Sequence, residues 1–322
     1  MTGARSETAL AFAKINPILR VLGRREDGYH EIETLLVALD LSDRVRVTAR
    51  EETDQPDAPV VTVRTGGVAA TADIVDDGQH LAARGAALAL DVLGASARLH
   101  VEVSKEIPSR AGLGGGSSDA VAAAFAALRL LAPRADFQGH AEACASRFAE
   151  IGMDCAFFAH AMNTGAGFGV GRGDQLVPME GKLDWDVLVI TPDVTCSTPS
   201  VYGALGLARG ESLMEPGGVD AAARLLDLAA VEAREELVNG LERAAVEAEP
   251  GLARWFEMLD DLGFQHMRLA GSGSSLFGLF DARNRSAHRA AEDIQKEASS
   301  LSLGIRFMRV VKPARAGVLF TT

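Results

Sequence analysis

A glycine-rich segment between an alternating strand and an apolar helix is the feature that most constrains this fold. Alternation near residues 99–103 predicts a strand, and apolar residues at helical spacing predict a helix over 117–132. Glycines let backbone N–H groups approach an anion, and the following helix N-terminus adds free N–H groups. This order of features predicts a phosphate cradle, although a glycine cluster alone is also compatible with a flexible turn. The segment reads Ile107-Pro108-Ser109-Arg110-Ala111-Gly112-Leu113-Gly114-Gly115-Gly116-Ser117-Ser118-Asp119.

Glycine is over-represented because of three such loops. The chain has 33 glycines in 322 residues, where average usage would give roughly 23. The surplus lies in residues 112–116, 165–173 and 271–273. For the second loop, a place at the site and a strand with close backbone approach both remain open. The third loop is expected to line the site from a second domain.

Other nucleotide and hydrolase motifs are absent from the sequence. A Walker A motif needs a lysine directly after its last glycine, and none follows the glycines here. The glycine spacing of dinucleotide-binding folds fails at all three loops, and no GxSxG elbow occurs. These absences disfavour an ordinary P-loop NTPase, a dehydrogenase and an α/β-hydrolase.

Length and composition predict a globular protein of about two domains. Hydrophobic residues make up 48% and charged residues 24%. The net charge of −12 argues against nucleic acid or an anionic membrane as partner. No apolar run reaches membrane-span length, the N-terminus does not resemble a signal peptide, and the scattered histidines predict no zinc site. The three cysteines, without a CxxC pair, predict a reduced, cytoplasmic compartment.

The predicted elements indicate an α+β fold, because strands and helices intersperse without strict alternation. Acidic, turn-rich stretches at 51–60 and 210–220 predict surface loops. A composition change near residue 180 predicts domains 1–180 and 181–322. Strands are predicted at 45–47, 99–103, 187–190, 275–280 and 305–311, and helices near 79–93, 117–132, 138–151, 220–237, 251–262 and 285–299.

Three motifs resemble those of the GHMP kinases, a superfamily of small-molecule kinases. They are the glycine segment at 108–120, Ala-Lys-Ile-Asn at 13–16 and Leu-Ala-Gly-Ser-Gly-Ser-Ser at 269–275, in the superfamily's order. The resemblance implies an N-terminal domain like the second domain of ribosomal protein S5 and a ferredoxin-like C-terminal domain. It also implies that ATP and Mg²⁺ are used, and that the last strand, at 316–320, can return to the first domain.

Residues 23–34, GRREDGYHEIET, are similar to the signature of one family within that superfamily. This family, the 4-diphosphocytidyl-2-C-methyl-D-erythritol kinases, phosphorylates the 2-hydroxyl of its substrate in the non-mevalonate isoprenoid pathway. The resemblance implies that Tyr29 stacks on cytosine, that His30 binds the base edge and that Tyr202 covers the other face. It also brings Thr198 near the substrate. The alternative for Tyr29 and His30 is a packed turn.

The resemblance implies two catalytic residues, Lys14 and Asp154. Asp154 would take or orient the substrate hydroxyl proton, and Lys14 would hold Asp154 and the developing alkoxide. A compact ammonium suits such close contact with oxygen anions. Because phosphoryl transfer depends mainly on positioning and charge neutralisation, we expect Asp154 to act chiefly by orienting the hydroxyl. The alternative for Asp154 is a helix N-cap.

The remaining site residues are also implied by the resemblance. Lys105, whose alternative is a solvated strand end, is expected near the nucleotide, and Ser118 is expected to assist phosphates and water in holding Mg²⁺. Asn16, Gly271, Ser272 and Gly273 are expected on the substrate side. The expected nucleotide contacts are Lys105, Pro108, Ala111, Gly112, Leu113, Gly114, Gly115, Gly116, Ser117, Ser118 and Asp119.

The sequence departs from the family pattern at a few positions. Met153-Asp154-Cys155-Ala156 lacks the usual proline after the aspartate, His80 stands where an asparagine is usual, and Pro17 follows Asn16. None of these changes removes a required charge. Two alternatives stay open. One is another GHMP kinase acting on mevalonate, homoserine or a sugar, and the other, which the departures support, is a non-catalytic nucleotide-binding paralogue. The chain is expected to be a monomer or a homodimer.

Overall fold

The structure is a computed structural model that describes residues 4–49, 60–72 and 74–321. Within these ranges, strands and helices intersperse along the chain and the strands form two sheets, which confirms the α+β prediction. The predicted loop at 51–60 lies outside the described residues except for Val60. The strands are β1 (Arg5–Arg24), β2 (His30–Ala49), β3 (Val60–Gly66), β4 (Arg98–Ser104), β5 (Ala166–Val170), β6 (Gln175–Met179), β7 (Trp185–Pro192), β8 (Val238–Asn239), β9 (Arg268–Leu269), β10 (Leu276–Asp281), β11 (Ile305–Val311) and β12 (Val318–Phe320).

The helices include every predicted helical region, but two of those regions are interrupted. The region 138–151 forms α3 and then a 3₁₀ turn, and the region 220–237 breaks after Asp227 before resuming as the short helix α7. The α-helices are α1 (Leu81–Leu93), α2 (Gly115–Leu131), α3 (Phe137–Ala145), α4 (Met153–His160), α5 (Thr198–Ala204), α6 (Gly218–Asp227), α7 (Ala230–Ala233), α8 (Glu242–Ala248), α9 (Gly251–Asp261) and α10 (Ser286–Ser300). None of the helices in the described ranges is long and apolar enough to cross a bilayer.

The described strands form two sheets. The first has the order β12-β1-β2-β4-β3, with β5 and β6 extending from β2 and β8 pairing with β1. The second has the order β11-β7-β10-β9. Two strands from beyond residue 180, β8 and β12, pair with β1 in the first sheet. The division into residues 1–180 and 181–322 stays a prediction.

The first sheet is covered on both faces, which explains why the long strand β1 was not predicted. One face packs its valines and alanines against α1 and α2, with Val121 and Phe125 in that core. The other face packs Ile15 and Val37 against Trp185 and Phe277 of the second sheet. A strand buried on both faces is a continuous apolar run without alternation, so its sequence carries little strand signal.

A buried charge cluster joins β2, the end of β4 and α2. Lys105 donates a hydrogen bond to Asp43 and another, of 2.7 Å, to the carboxylate of Asp119. Asp43 Oδ1 also accepts from the backbone N–H groups of Glu106 and Ile107, at 2.6 and 2.9 Å. The three charged side chains are almost completely buried. The cluster therefore fixes both ends of the glycine segment to the first sheet.

The cluster holds two carboxylates against one ammonium, so it has an excess negative charge away from water. Burial, together with the charge of Asp119, raises the pKa of Asp43 to about 7 against the opposing effect of Lys105. Burial also raises the pKa of Asp119. Burial acts to lower the pKa of Lys105, but the two carboxylates outweigh it and hold that pKa above its ordinary value. The lysine therefore stays charged, and the carboxylates take up a proton more readily than exposed ones.

The excess charge predicts that the stability of the protein depends on pH, and that Asp119→Asn makes this dependence weaker. A carboxyl with a raised folded-state pKa stabilises the fold below its unfolded pKa of about 4, and that contribution is lost as pH rises through about 7. The difference in unfolding free energy, Asp119→Asn minus wild type, should therefore increase by on the order of 2 kcal/mol from pH 5 to pH 8. The variant gains stability relative to wild type because it lacks one of the two buried carboxyls. Urea unfolding at each pH measures this, and parallel pH profiles would contradict it.

Helices α1 and α2 are in direct backbone contact at Gly85. A Cβ atom added at this position would clash with the carbonyl oxygen of Ala120 on α2. Backbone atoms cannot move aside as a flexible side chain can. The glycine therefore sets the distance between the two helices, and hence the position of α2, which begins directly after the glycine loop.

The same substitution should have opposite effects in α1 and α3. We expect Gly85→Ala to lower the unfolding free energy by about 1–3 kcal/mol through overpacking. Gly139, exposed in α3, has no atom near an added Cβ, so Gly139→Ala should raise the unfolding free energy by about 0.5–1 kcal/mol. Equilibrium urea denaturation of both variants measures the two effects, and equal effects of the two substitutions would disprove the close contact.

Candidate active site

Two clefts meet beside the glycine segment. The larger cleft, of about 810 Å³, contains the predicted catalytic and base-binding residues. The smaller one, of about 700 Å³, is lined by the glycine segment and is called the loop cleft below. Gly112, Gly114, Ser117 and Thr198 line both clefts. A group bound in one cleft can therefore contact a group bound in the other.

The glycine segment is held in place by β1 and by the third glycine loop. The Lys14 N–H donates to the Leu113 carbonyl at 2.9 Å, and the Ser275 N–H donates to the Ala111 carbonyl at 3.2 Å. Gly112 has a φ of 74°, and an added Cβ there would clash with the carbonyl of Ala270. Packing within the protein thus already requires glycine at this position, apart from any need of a ligand.

The helix that follows the segment has a free N-terminus. Gly114, with a φ of 72°, occupies the N-cap position of α2 and makes no side-chain cap. The first N–H groups of a helix have no partner within the helix. Gly115, Gly116 and Ser117 line the loop cleft, so their N–H groups and the helix dipole favour an anion there.

The two serines at this helix start have different environments. Ser118 is buried, and its hydroxyl donates to the Gly115 carbonyl at 2.9 Å. Ser117 instead lines both clefts. The Ser118 hydrogen is engaged within the helix, and the role of its hydroxyl oxygen toward a metal ion stays a prediction.

The other predicted nucleotide contacts also line the loop cleft. Pro108, Ala111 and Leu113 do so, as do Lys105 and Asp119 of the buried cluster. Lys105 is only 5% exposed, so the alternative of a solvated strand end is wrong.

His80, one of the departures from the family pattern, lies in the loop cleft and caps α1. Its Nδ1 accepts from the Ala82 N–H at 3.2 Å, and its Nε2 lies 3.1 Å from the Thr65 hydroxyl. Burial lowers the pKa of His80. The imidazole is therefore neutral with the proton assigned to Nε2, and both of its nitrogens already have partners within the protein.

Lys14 and Asp154 lie together in the larger cleft. Lys14 Nζ donates to Asn16 Oδ1 at 2.8 Å and lies 3.4 Å from Asp154 Oδ2. Asn16 in turn donates to the Thr34 hydroxyl at 2.9 Å. The Lys14 side chain is 4% exposed, whereas that of Asp154 is 37% exposed. The carboxylate is thus open to the cleft, and the ammonium is held behind it.

Asp154 stands in the first turn of α4, and the N-cap of that helix is Gly152. The alternative that Asp154 serves as the N-cap is therefore wrong. Cys155, which departs from the family pattern, is buried, and its thiol lies 3.6 Å from the Ser117 carbonyl. Burial raises the pKa of Cys155 to about 12, so the thiol stays neutral and acts as a packing residue.

Aromatic side chains form the far end of the larger cleft. The rings of His30 and Tyr202 lie 4.9 Å apart between centroids. Tyr29 is 53% exposed, so the alternative of a packed turn is wrong for this residue. Burial, with a contribution from Arg24, lowers the pKa of His30. A neutral imidazole has one donor and one acceptor, which can read a base edge.

The second glycine loop is both a strand and part of the site. Its first half is β5, which pairs with β2. Arg172 and Gly173, directly after β5, line the larger cleft. The two interpretations left open by the sequence are therefore compatible.

The third loop closes the cleft from the second sheet. Gly271 and Ser272 line the larger cleft, and the Ser272 hydroxyl lies 2.7 Å from that of Thr198. Gly273 lies behind them, against Cys196. Loop and helix α5 are thus joined where the two clefts meet.

Sequence reasoning missed Arg24, Arg172 and Asp43. For Asp43 a signal existed, because it follows Leu41 and precedes Val45 on the alternating, inward-facing positions of β2. For Arg24 and Arg172, the neighbouring sequence did not indicate that their side chains face the cleft. In the described ranges, no three His, Cys, Asp or Glu side chains are grouped to hold a metal ion.

The chain is similar to known kinases over almost its whole length. The GHMP kinases N terminal domain family matches residues 80–162. A 4-diphosphocytidyl-2-C-methyl-D-erythritol kinase from Arthrobacter sp. (strain FB24) is 34% identical over 302 residues, which cover 90% of this chain and 89% of that protein. A crystal structure of 4-(cytidine 5′-diphospho)-2C-methyl-D-erythritol kinase matches with a TM-score of 0.69 and 28% identity, covering 97% of this chain and 100% of that one.

A homoserine kinase from Cytophaga hutchinsonii has the same fold, with a TM-score of 0.67 at 17% identity over 98% of this chain and 97% of that one. Such a distant likeness shows the fold alone, and it confirms the predicted GHMP architecture. The identity to the cytidyl kinases is much higher and covers most of both proteins. This chain belongs to the 4-diphosphocytidyl-2-C-methyl-D-erythritol kinase family of the GHMP kinases.

Proposed function

We propose that this protein transfers the γ-phosphoryl group of ATP to the 2-hydroxyl of 4-diphosphocytidyl-2-C-methyl-D-erythritol. The observation that carries the proposal is the junction of the two clefts at Gly112, Gly114, Ser117 and Thr198. The Lys14–Asp154 pair lies in the larger cleft, which shares these residues with the loop cleft. An acceptor hydroxyl and a phosphoryl donor bound in adjoining clefts would meet there.

In this proposal, Asp154 orients the acceptor. Its exposed carboxylate accepts a hydrogen bond from the substrate hydroxyl, which directs an oxygen lone pair toward the loop cleft. Lys14, held by Asn16, stabilises negative charge on that oxygen as the proton moves to Asp154. Phosphoryl transfer has a loose transition state, so this positioning and neutralisation supply most of the catalysis.

The base end of the larger cleft supplies specificity. Tyr29 offers an aromatic face for stacking, and Tyr202 lies beside His30 to cover the base from the other side. Neutral His30 offers a donor and an acceptor to the base edge. Thr198, Gly271 and Ser272 line the middle of the cleft, near the substrate's phosphates in this proposal.

The loop cleft fits a triphosphate through its uncapped helix N-terminus. The N–H groups at the start of α2 would hold phosphate oxygens. Mg²⁺, when bound with ATP, neutralises phosphate charge. In the absence of an acidic metal cluster in the described ranges, the phosphates, water and a serine hydroxyl at the start of α2, that of Ser118 or Ser117, would hold that ion.

An ATP-consumption assay with a panel of alcohols tests the proposal. We expect turnover with the cytidyl substrate and little or none with mevalonate, homoserine or a sugar. Equal turnover with another alcohol would favour a different GHMP kinase. ATP binding without transfer to any of these acceptors would favour a non-catalytic paralogue.

The predicted cytoplasmic compartment and the monomeric or homodimeric state stay predictions.

Lys14→Ala and Asp154→Asn should both impair turnover more than substrate binding. We expect kcat to fall by about 10²-fold or more, because each variant removes charge or acceptor capacity needed during transfer. The KM of the cytidyl substrate should change much less. Steady-state kinetics with saturating ATP measure both parameters.

Lys296→Ala, an exposed lysine on α10, is the matched control and should leave kinetics and melting temperature unchanged. Wild-type turnover in Asp154→Asn would refute its orienting role. An effect of Lys14→Ala on KM alone would reassign Lys14 to ground-state binding.

A further inference from the structure

Arg172 lies over the ring that the proposed function uses for base stacking. Its guanidinium carbon is 5.0 Å from the centroid of Tyr29, a cation–π distance. Arg172 follows β5 and lines the larger cleft together with Tyr29. The two residues are far apart in sequence, so only the fold brings them together.

Arg172 is held in this position by Asp174. Its Nε and Nη2 donate to Asp174 Oδ2 at 3.2 and 2.7 Å, and its backbone N–H donates to Oδ1 at 3.2 Å. The hairpin is fixed to β2 because the Ile32 N–H donates to the Gly171 carbonyl at 2.8 Å. Two of the guanidinium nitrogens and part of its charge are thus engaged by a carboxylate.

The turn holds the backbone of Tyr29 but leaves its side chain exposed. Asp27 Oδ1 accepts from the Tyr29 N–H at 3.1 Å, and the Tyr29 carbonyl accepts from the Arg25 N–H at 2.8 Å. The ring itself is about half exposed to solvent. A ring that is free to rotate would lose conformational entropy on binding a base. Contact with a fixed cation reduces that loss.

We propose that Arg172 is a positioning residue for base recognition, which holds the Tyr29 ring so that the pyrimidine of a cytidine nucleotide stacks on its other face. This inference rests on the proposed function, since it concerns the same cleft. It assigns Arg172 to the base and not to the diphosphate, because Asp174 already engages two of the guanidinium nitrogens.

Titration calorimetry with cytidine and with cytidine 5′-diphosphate tests the inference. Arg172→Met keeps the side-chain length but removes the cation. We expect it to raise the Kd of both ligands by the same factor, about three- to tenfold. With the cytidyl substrate, KM should rise by a similar factor while kcat stays within about twofold.

Further variants isolate the ring contact. Asp174→Asn should weaken cytidine binding by releasing Arg172, and Arg172→Lys should recover part of the loss by restoring a cation. In a Tyr29→Ala background, Arg172→Met should have no further effect. Arg283→Met, which removes an exposed arginine paired with Asp281 away from either cleft, is the matched control and should change nothing.

A loss of cytidine 5′-diphosphate affinity with unchanged cytidine affinity would overturn the inference, since it would assign Arg172 to the phosphates. Additive effects of Arg172→Met and Tyr29→Ala, or no binding of cytidine by the wild type, would also overturn it. Binding that depends on Arg172 in a protein that transfers no phosphoryl group would refute the proposed function and leave this inference standing. Phosphoryl transfer to the cytidyl substrate with kinetics unchanged by Arg172→Met would support the proposed function and overturn this inference.

Discussion

The hydrogen bonds of Lys105 to Asp43 and Asp119 are the interaction on which the candidate site depends. They bind the end of β4 to β2 on one side and to the first turns of α2 on the other. The segment between these points is the glycine loop, whose own residues have little side-chain packing to hold them. A buried ion cluster is costly to desolvate and contributes little net stability. Its consequence here is geometric, because it determines where the free N-terminus of α2 points.

The second constraint is the contact between the glycine loop and the third glycine loop. Gly112 packs against the carbonyl of Ala270, and the Ser275 N–H bonds to Ala111. Thr198 and Ser272 connect the same region through their hydroxyls. The two sheets therefore meet at the junction of the clefts. A kinase that excludes water during transfer benefits from an acceptor site assembled from both sides of such a junction.

Much of the site was predictable because it lies on short, locally determined segments. The strand, glycine loop and helix follow one another in the chain, so their order alone predicts an anion site. Residues whose role depends on distant partners were not predictable. Ser117 and Ser118 differ only in the direction that the helix turns them, and Arg172 meets Tyr29 only after β5 has paired with β2. The fold class followed from the interspersed elements, but β1, buried on both faces, carried no alternation to reveal it.

The most direct test of this account is a crystal structure with a non-hydrolysable ATP analogue and the cytidyl substrate bound together. The account predicts the triphosphate at the N-terminus of α2 and the cytosine between Tyr29 and Tyr202. It also predicts the 2-hydroxyl within about 2.6–3.2 Å of the Asp154 carboxylate, facing the γ-phosphate. A substrate hydroxyl directed away from Asp154, or a triphosphate bound outside the loop cleft, would contradict it.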